Sequence, residues 1–547
     1  MKTLPVLTVV LSALCASCAS RAPAPAAPAA TAAIASIQIL AFNDFHGALD
    51  PPTGANGRVG QVDAGGAEFF AAHLARLKAE NPHTIVVSAG DNIGASPLLS
   101  GMFHDEPTIE ALSAAGLQIS TVGNHEFDEG WEELVRLQKG GCHPVDGCQD
   151  NTPFAGARFE FLSANVVVDP GPQTLFPATA VRVVDGVRVG FIGLALRSTP
   201  SIVLEKYLRG LTFTPEVEAG NVAAASLVAQ GVKTIVVMIH AGGRPATTDV
   251  NGCDVTGAIV DIANRLSPDI DVIVSGHTHR SYVCTFGTKL VTSAETAGGL
   301  ITDIDLSIDR ATGDVVSKRA RNVIVTRDIA KSAAVTGVLD HYRPFYKALG
   351  ARKVGSITAP IPEATNDAGE SPLGDLVADA MLEYTSAPAA GGAQVALWNT
   401  AGLRADLVGE AGAPGSPATV TFAHAFNVLP FGNRVEVRTI SGVSLIGMLS
   451  TGVFQVSRGL SFTYDATRPR GRRVDGASVK LWGRVIDPAA RIRVATSDYI
   501  WNGGDGITGI ESTDPLDAGG DIDLFVAYLE KHSPVTPGPR DRIIRKW

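Results

Sequence analysis

The chain has 547 residues, which is too long for one compact core and indicates about two to four domains. Hydrophobic residues make up 45% and charged residues 18%, as in ordinary globular proteins. The formal net charge of −10 disfavours binding of a nucleic-acid polymer or an anionic membrane by charge. An anionic substrate would have to be attracted by local groups, such as metal ions or single arginines.

The first 18 residues have the pattern of an export signal. Lys2 is followed by LPVLTVVLSALCA, an apolar run that is too short for a comfortable transmembrane helix. The run ends in Ala16-Ser17-Cys18, which resembles a bacterial lipoprotein signal with Cys18 as the lipidated N-terminus. Cys15 stands where such signals usually have leucine, so ordinary secretion with cleavage after a small residue is an alternative. Both alternatives predict an exported protein of the periplasm or cell envelope.

Residues 19–35 are rich in alanine and proline, which predicts a tether. From residue 36, short apolar runs alternate with helical segments, which predicts an α/β arrangement. The predicted strands are 36–42, 83–89, 118–122, 188–196, 233–239 and 271–275. The predicted helices are 67–80 and 220–231, with a helical connector within 325–350 and a second α/β region after it.

Four cysteines follow the signal region as two local pairs. An exported protein can form disulfides, so we expect Cys142 to pair with Cys148 and Cys253 with Cys284. Cysteine-ligated zinc is the alternative, but the CxxC spacing that it usually needs is absent from the sequence.

Five polar clusters each come directly after an apolar run. They are NDFHG (43–47), GDN (90–92), GNHEFD (123–128), IHAGG (239–243) and GHTHR (276–280). Active sites of α/β sheets gather at the carboxyl ends of strands, so five strand ends can converge on one place. Any single cluster is more easily explained as a turn or a core histidine. Explaining all five clusters in this way would require five independent coincidences at five strand ends. We therefore interpret the clusters as one reaction centre.

The side chains of these clusters predict a metal centre. Aspartate and asparagine oxygens with histidine nitrogens, without thiolate, suit Zn²⁺, Mn²⁺, Co²⁺ or Fe²⁺. The candidates exceed the four ligands of one tetrahedral zinc, which predicts two divalent ions. Two ions about 3.5–4 Å apart need a bridging carboxylate and suit phosphoryl transfer. A zinc-protease helix is excluded, because HExxH requires histidine where Glu129 stands.

These clusters together resemble the calcineurin-like metallophosphoesterases, and SAGDNIGASPLLS and TVGNHEFDEG resemble their 5′-nucleotidase branch. The segments 370–381, 398–412, 426–437, 459–465 and 495–506 resemble that family's C-terminal nucleotide-binding domain. The resemblance covers nearly the whole chain after residue 36. It implies a four-layer αββα sandwich and then a smaller α/β domain. The expected organisation is signal 1–18, tether 19–35, dimetal domain 36–325, connector or hinge 326–355 and substrate-binding domain 356–547.

Position by position, the resemblance implies two metal sites with one shared ligand. The ligands of one ion are Asp44, His46 and His279, those of the other are Asn124, His240 and His277, and Asp91 bridges the two. His125 and Asp128 resemble the family's catalytic pair, in which the imidazolium stabilises the transition state or leaving group and the carboxylate orients it. Glu126 is expected to be structural, and Glu129 to begin the following helix.

The resemblance also implies substrate contacts in the second domain. They are Asn399 and Arg404 for base and phosphate, Phe431 and Tyr499 for the nucleobase, and Asp505 for the ribose. Stacking of this kind contributes roughly 1–3 kcal/mol per base. From the residues alone, Phe431 could instead fill a core and Asp505 could shape a turn.

One departure from the family concerns the phosphate. Family members often have further phosphate-binding arginines before the segment that reads ESPLGDL here, but EATNDAGESP contains none. Arg404 would then hold the phosphate alone, or Arg352 or Lys353 would substitute.

The resemblance implies an exported monomeric enzyme that hydrolyses nucleoside 5′-monophosphates by attack of a metal-activated hydroxide. Dinucleotides or nucleotide sugars, cut at the diphosphate, are further candidate substrates. A 2′,3′-cyclic nucleotide phosphodiesterase with 3′-nucleotidase activity is an alternative, and so is a thiosulfohydrolase, which the aromatic pair disfavours. A further alternative is a binding protein with an inactive scaffold. Such a protein would have lost metal ligands, whereas every metal-ligand position and the His125/Asp128 pair are filled here. The expected partner is a small-molecule nucleotide, and the expected membrane link is the lipid on Cys18 alone.

Overall fold

Residues 1–4 and 33–546 are described by the computed structural model of this chain. The predicted export signal beyond residue 4, the lipidation site at Cys18 and nearly all of the predicted tether lie outside the described residues. From Ile34 onward the chain forms one compact unit. Within the described ranges, no helix has both the length and the apolarity that crossing a membrane requires.

Two six-stranded sheets form the centre of the first half of the chain. In spatial order, sheet I contains the strands Val315–Ile324, Leu300–Asp309, Ile34–Phe42, Thr84–Ser88, Ile119–Thr121 and Glu160–Leu162. Sheet II contains Ser281–Phe286, Lys289–Ala294, Val272–Ser275, Thr234–Ile239, Val187–Leu194 and Thr179–Val184. All six strands that the sequence predicts are present, with ends within two residues of the predicted ones.

The two sheets pack face to face, and helices cover their outer faces. Ile37 and Ile39 of sheet I and Phe191 and Val236 of sheet II belong to one buried apolar layer. The helices beside sheet I are Ala67–Lys78, Leu98–Gly101, Glu106–Ala115, Trp131–Lys139 and Ala333–Gly350. Those beside sheet II are Glu216–Ala229 and Ala258–Arg265. This is the predicted four-layer αββα sandwich.

The second half is a smaller α/β assembly. Sheet III contains Phe454–Val456, Val395–Asn399, Arg491–Ser497, Arg434–Ser441 and Thr513–Gly520. Sheet IV contains Arg484–Val485, Lys480–Leu481, Leu460–Tyr464 and Ile543–Arg545. The helices are Pro372–Thr385, Phe422–Val428, Gly442–Thr451, Asp498–Trp501 and Asp521–His532. Apolar cores lie on both faces of sheet III, as expected of an α/β layer.

Four short strand pairs complete the described structure: Arg58–Val59 with Val62–Asp63, Val166–Val168 with Leu211–Phe213, Arg244–Pro245 with Val255–Thr256, and Lys353–Ile357 with Ala418–Thr421. The predicted connector contains the helix Ala333–Gly350, which packs against Glu106–Ala115.

Both expected disulfides are formed, Cys142–Cys148 and Cys253–Cys284. The first closes a short loop after the helix Trp131–Lys139, and the second ties residue 253 to the strand Ser281–Phe286.

Candidate active site and metal centre

The five polar clusters meet because parallel strands end at the same edge of a sheet. In sheet I, Ile34–Phe42, Thr84–Ser88 and Ile119–Thr121 run parallel, and the first three clusters follow them. In sheet II, Thr234–Ile239 and Val272–Ser275 run parallel, and the last two clusters follow these. Backbone hydrogen bonds join adjacent loops, with the Asp44 amide donating to the Gly90 carbonyl at 2.9 Å. The convergence that the sequence predicts is therefore present.

Asp91 lies between the two predicted ligand sets. Its Oδ2 is 3.0 Å from Nε2 of His240 and 3.7 Å from Nε2 of His46. On one side, Oδ1 of Asp44 is 3.3 Å from Nε2 of His279. The side chains form two groups able to hold a cation, with ligand atoms within 4.8 Å of one another: Asp44, His46 and His279, and Asp91, His240 and His277.

The histidines present the nitrogens that a metal requires. Nδ1 of His46 is 2.9 Å from the Gly94 carbonyl, and Nδ1 of His240 is 2.8 Å from the Ala89 carbonyl. These contacts fix the ring orientation and leave Nε2 for a ligand role. Within residues 33–546, the buried Oδ1 of Asn124 and Nε2 of His240 have no hydrogen-bond partner, although the latter is close to Asp91. Buried polar atoms without a partner, beside carboxylates and imidazoles, fit a divalent cation.

The backbone of this centre is strained. Asp44, His46, Asp91, His277 and His279 adopt left-handed conformations with φ between 47° and 73°. Such conformations are uncommon for residues other than glycine, cost of order 1–3 kcal/mol each and concentrate at functional sites. Tight turns after the strands hold these five side chains in place.

Burial and neighbouring charges shift the pKa values of the candidate ligands in different directions. Burial raises the pKa of Asp91, but the imidazoles of His240 and His125 outweigh burial and hold the pKa well below its usual value. Burial and the Arg404 guanidinium hold the pKa of His46 well below its usual value. Burial lowers the pKa of His240, but the Asp91 carboxylate outweighs it and raises the pKa to about 10. A divalent cation would take the place of the His240 proton.

His125 and Asp128 form a close pair beside the metal centre. Nδ1 of His125 is 2.7 Å from Oδ2 of Asp128, and the His125 amide donates to Oδ1 of Asp91 at 2.8 Å. Burial lowers the pKa of His125, but the Asp128 and Asp91 carboxylates outweigh it and raise the pKa above its usual value. The two carboxylates thus favour the protonated form of His125, and Asp128 orients the ring through Nδ1.

The other two carboxylates of GNHEFDEG have different surroundings. The buried Glu126 accepts from the amides of Asp91 and Asn92 at 2.8 Å each and of Gly123 at 2.6 Å, so it ties two strand-end loops together. The expectation that Glu129 begins the next helix is wrong. That helix begins at Trp131, and Oε2 of Glu129 instead lies 2.5 Å from Nδ1 of His104.

The second domain places its candidate residues in the same cavity, which has a volume of about 540 Å³. Nη2 of Arg404 is 3.4 Å from Nε2 of His46, and the Phe431 ring stacks on the His125 ring with centroids 5.9 Å apart. The cavity is also lined by Asn399, Tyr499 and Asp505, together with Asn124, His125 and Asp128. Asp44 and His240 lie fully buried behind it.

The predicted ribose-binding carboxylate is held by its neighbours. The Tyr499 hydroxyl is 2.9 Å from Oδ1 of Asp505 and 3.1 Å from the Ile202 carbonyl, so it can donate to either acceptor. Nδ2 of Asn399 donates to the other oxygen of Asp505 at 3.1 Å.

The suggested substitutes for the missing arginines lie elsewhere. Arg352 pairs with Glu530 at 3.0 Å, and neither Arg352 nor Lys353 is among the described residues that line the cavity. Among the described residues, the lysine and arginine side chains that line it are Lys206, Arg404 and Arg434. Arg434 is engaged by Asp517, so Arg404 is the guanidinium beside the metal centre.

Sequence reasoning missed one wall of the cavity. It is formed by the segment 198–207, which includes Ile202, Val203 and Tyr207. This segment contains short 3-10 turns and no motif, so no sequence signal marked it.

Two sheets packed face to face, with carboxylates and imidazoles gathered at their strand ends, define a metal-dependent phosphoric ester hydrolase. Residues 37–281 match the family model for calcineurin-like phosphoesterases, which use divalent metals, and residues 353–512 match that for the 5′-nucleotidase C-terminal domain. The chain therefore belongs to the 5′-nucleotidase family of metallophosphoesterases.

The chain is similar to relatives with different names and to a solved 5′-nucleotidase structure. The chain is 32% identical to the endonuclease YhcR of Bacillus subtilis over 85% of its own length, but spans only 37% of that protein. It is 30% identical to a cell wall protein of Listeria monocytogenes, covering 90% of this chain and 67% of the relative. The crystal structure of a 5′-nucleotidase precursor from Thermus thermophilus is 25% identical, with a TM-score of 0.76 over 93% of this chain and 99% of that one.

Proposed function

We propose that this chain hydrolyses nucleoside 5′-monophosphates to nucleoside and phosphate at a centre of two divalent ions. The observation that carries the proposal is a single cavity that joins the metal-ligand groups, the His125–Asp128 pair and the aromatic side chains Phe431 and Tyr499. A phosphate site and a base-stacking site next to each other suit a small nucleotide. Dinucleotides and nucleotide sugars are further candidate substrates.

Seven side chains would hold the ions. Asp44, His46 and His279 would hold one ion, Asn124, His240 and His277 the other, and Asp91 would contact both. When bound, such ions polarise phosphoryl oxygens and lower the pKa of a water molecule. The chemistry of the ligands suits zinc, manganese, cobalt or iron.

The chain's own groups would position the phosphate and stabilise its leaving group. Arg404, beside His46, offers a planar fork of donors that matches phosphate oxygens. His125, held through Nδ1 by Asp128, keeps Nε2 free to donate a proton to the departing 5′ oxygen of the nucleoside.

The second domain would hold the nucleoside. Phe431 and Tyr499 would stack on the base, which tolerates different bases. The oxygens of Asp505, already oriented by Asn399 and Tyr499, would accept from the ribose hydroxyls.

We also propose an exported monomer of the periplasm or cell envelope, anchored only through a lipid on Cys18. The two disulfides support export, since such bonds persist in oxidising compartments. The proposed domains are 36–325 and 356–547, with 326–355 as a hinge around the helix Ala333–Gly350.

Removal of metal is expected to abolish phosphate release from AMP. The buried carboxylates and imidazoles have no other function in the proposal, so treatment with EDTA should stop turnover and lower the Tm, because a ligand that binds only the folded state stabilises it. Adding back Mn²⁺, Co²⁺ or Zn²⁺, one at a time, should restore both the turnover and the Tm. The measurement is phosphate release across mono-, di-, cyclic and sugar nucleotides. No release from any nucleotide by metal-loaded protein would refute the proposed function.

Replacing Phe431 with alanine is expected to raise KM for AMP about 5- to 150-fold, the equivalent of roughly 1–3 kcal/mol of stacking. Ribose 5-phosphate lacks the base, so its KM should be unchanged. Trp482→Ala removes an aromatic side chain that is 64% exposed and does not line the cavity, and it serves as the control. An equal loss with both substrates would contradict a stacking role.

A further inference from the structure

A second group of metal-ligating side chains lies at the rim of the cavity, outside the metal centre. His104, Glu129, Glu133 and His143 have ligand atoms within 4.8 Å of one another, and we refer to these four as the rim cluster. His104, Glu133 and His143 lie outside the motifs that carry the family resemblance, and Glu129, near the end of TVGNHEFDEG, is not among the ligands that the resemblance implies. They come from three parts of the chain: His104 from the turn before the helix Glu106–Ala115, Glu129 and Glu133 from just before and within the first turn of the helix Trp131–Lys139, and His143 from the disulfide loop.

The two imidazoles of the rim cluster lie parallel. The rings of His104 and His143 stack with centroids 3.7 Å apart and planes 15° apart. Nδ1 of His104 is 2.5 Å from Oε2 of Glu129, and Nε2 of His143 is 4.0 Å from Oε2 of Glu133. One nitrogen of each ring thus faces a carboxylate, and all four side chains offer a ligand atom close enough to share one ion.

Asp146 contacts the remaining nitrogens. Its Oδ2 lies 2.9 Å from Nε2 of His104 and 3.3 Å from Nδ1 of His143, while its amide is 3.1 Å from the same Nδ1. A carboxylate behind a histidine orients the ring and raises its basicity toward a metal on the other side. The Cys142–Cys148 disulfide closes the loop that supplies both His143 and Asp146, so these groups are positioned before any ligand binds.

The carboxylates of the rim cluster favour positive charge beside the two rings. Burial lowers the pKa of His104, but Glu129 and Asp146 outweigh it and raise the pKa to about 9. The rings of His104 and His143 are stacked 3.7 Å apart, so one divalent cation at their edge would meet both imidazoles and the neighbouring carboxylates together. Arg136 donates to both oxygens of Glu133, so this carboxylate is the weakest of the four ligands.

We propose that the rim cluster binds one divalent transition-metal ion of the zinc class, through Nδ1 of His104, Nε2 of His143 and the carboxylates of Glu129 and Glu133. Two imidazoles with carboxylate oxygens are a ligand set that Zn²⁺ accepts. The two histidine side chains are 16% and 15% exposed and Glu129 is 43% exposed, so the site is shielded on one side and open on the other.

Occupancy of this site would link the disulfide loop to the catalytic pair. Glu129 directly follows Asp128, whose Oδ2 holds His125 at 2.7 Å. An ion shared by Glu129 and His143 would therefore restrain the segment that orients His125. The inference does not depend on the proposed substrate or on the number of ions at the main centre.

The test is zinc stoichiometry of the full chain. Chelator-treated protein is reloaded with Zn²⁺, desalted and analysed by mass spectrometry of the metal, and zinc binding is titrated calorimetrically. His143→Ala should bind one equivalent fewer than the unmodified chain, and Glu129→Gln should raise the Kd of that equivalent at least about tenfold. His532→Ala, whose histidine pairs with Glu383 far from the cavity, is the matched control and should bind the same amount as the unmodified chain.

A crystallographic readout makes the test independent of variant folding. Crystals of the zinc-loaded, unmodified chain should give an anomalous peak at the zinc edge, within coordination distance of Nδ1 of His104 and Nε2 of His143. The absence of that peak, or equal zinc content in His143→Ala and the unmodified chain, would overturn the proposal. Both readouts measure zinc at the rim cluster and not activity. They therefore remain valid even if AMP is not a substrate.

Discussion

Replacing His125 with alanine is expected to lower kcat for AMP by about 10²- to 10⁴-fold, the usual contribution of a positioned acid or base. The imidazole is held by Asp128 at 2.7 Å and lies beside the candidate phosphate site, yet it belongs to neither ligand group. Its removal should therefore slow turnover far more than it weakens metal binding. Steady-state kinetics and metal content of the same preparation measure both effects.

Two further variants distinguish the effect of Asp128 on His125 from the contribution of the His125 imidazole itself. Asp128→Asn keeps the size of the side chain but loses the charge that raises the pKa of His125, so kcat should fall less than in His125→Ala. His83→Ala removes a histidine at the other end of the strand Thr84–Ser88, 3.6 Å from Asp185, and should leave kcat unchanged. Loss of metal from His125→Ala would show that the imidazole is a ligand and that its assigned role is wrong.

The parts of the site that the sequence predicted are those that depend on strand ends. Parallel strands leave a sheet at one edge, so polar residues directly after apolar runs had to meet, and Asp44, Asp91 and His240 do so. The left-handed backbone of Asp44 and Asp91 could not be predicted from residue type, since φ values such as 52° at Asp91 are costly and are imposed by the surrounding loops.

The rest of the site depends on contacts between segments that no local pattern links. Glu129 looked like the first residue of a helix, because acidic residues are favoured there. Its partner His104 is 25 positions earlier in the chain, and only the packed structure brings them together. The same holds for Ile202, whose carbonyl meets the Tyr499 hydroxyl of the second domain across 297 positions. Distant pairs without periodicity leave no trace in a single sequence.

Replacing Asp91 with asparagine is expected to lower kcat/KM by about 10³-fold or more, since a metal ion supplies several kcal/mol of transition-state stabilisation. Oδ2 of Asp91 lies 3.7 Å from Nε2 of His46 and 3.0 Å from Nε2 of His240, closer to each than Oδ1 of Asp44 at 3.9 and 4.0 Å. Asparagine keeps the shape but removes the charge that two cations would share. Metal content should fall together with activity, unlike in His125→Ala.

Asp303→Asn is the matched control for this loss of a buried carboxylate. Asp303 is 4% exposed in the strand Leu300–Asp309 of sheet I, where it accepts from Gln38 and Arg321 away from the cavity. Its replacement should lower the Tm but leave metal content and kcat per folded molecule unchanged, because a broken buried pair costs stability rather than ligands. If Asp91→Asn retained two ions and near-normal turnover, a centre bridged by Asp91 would be excluded, and the two histidine groups would have to act as separate sites.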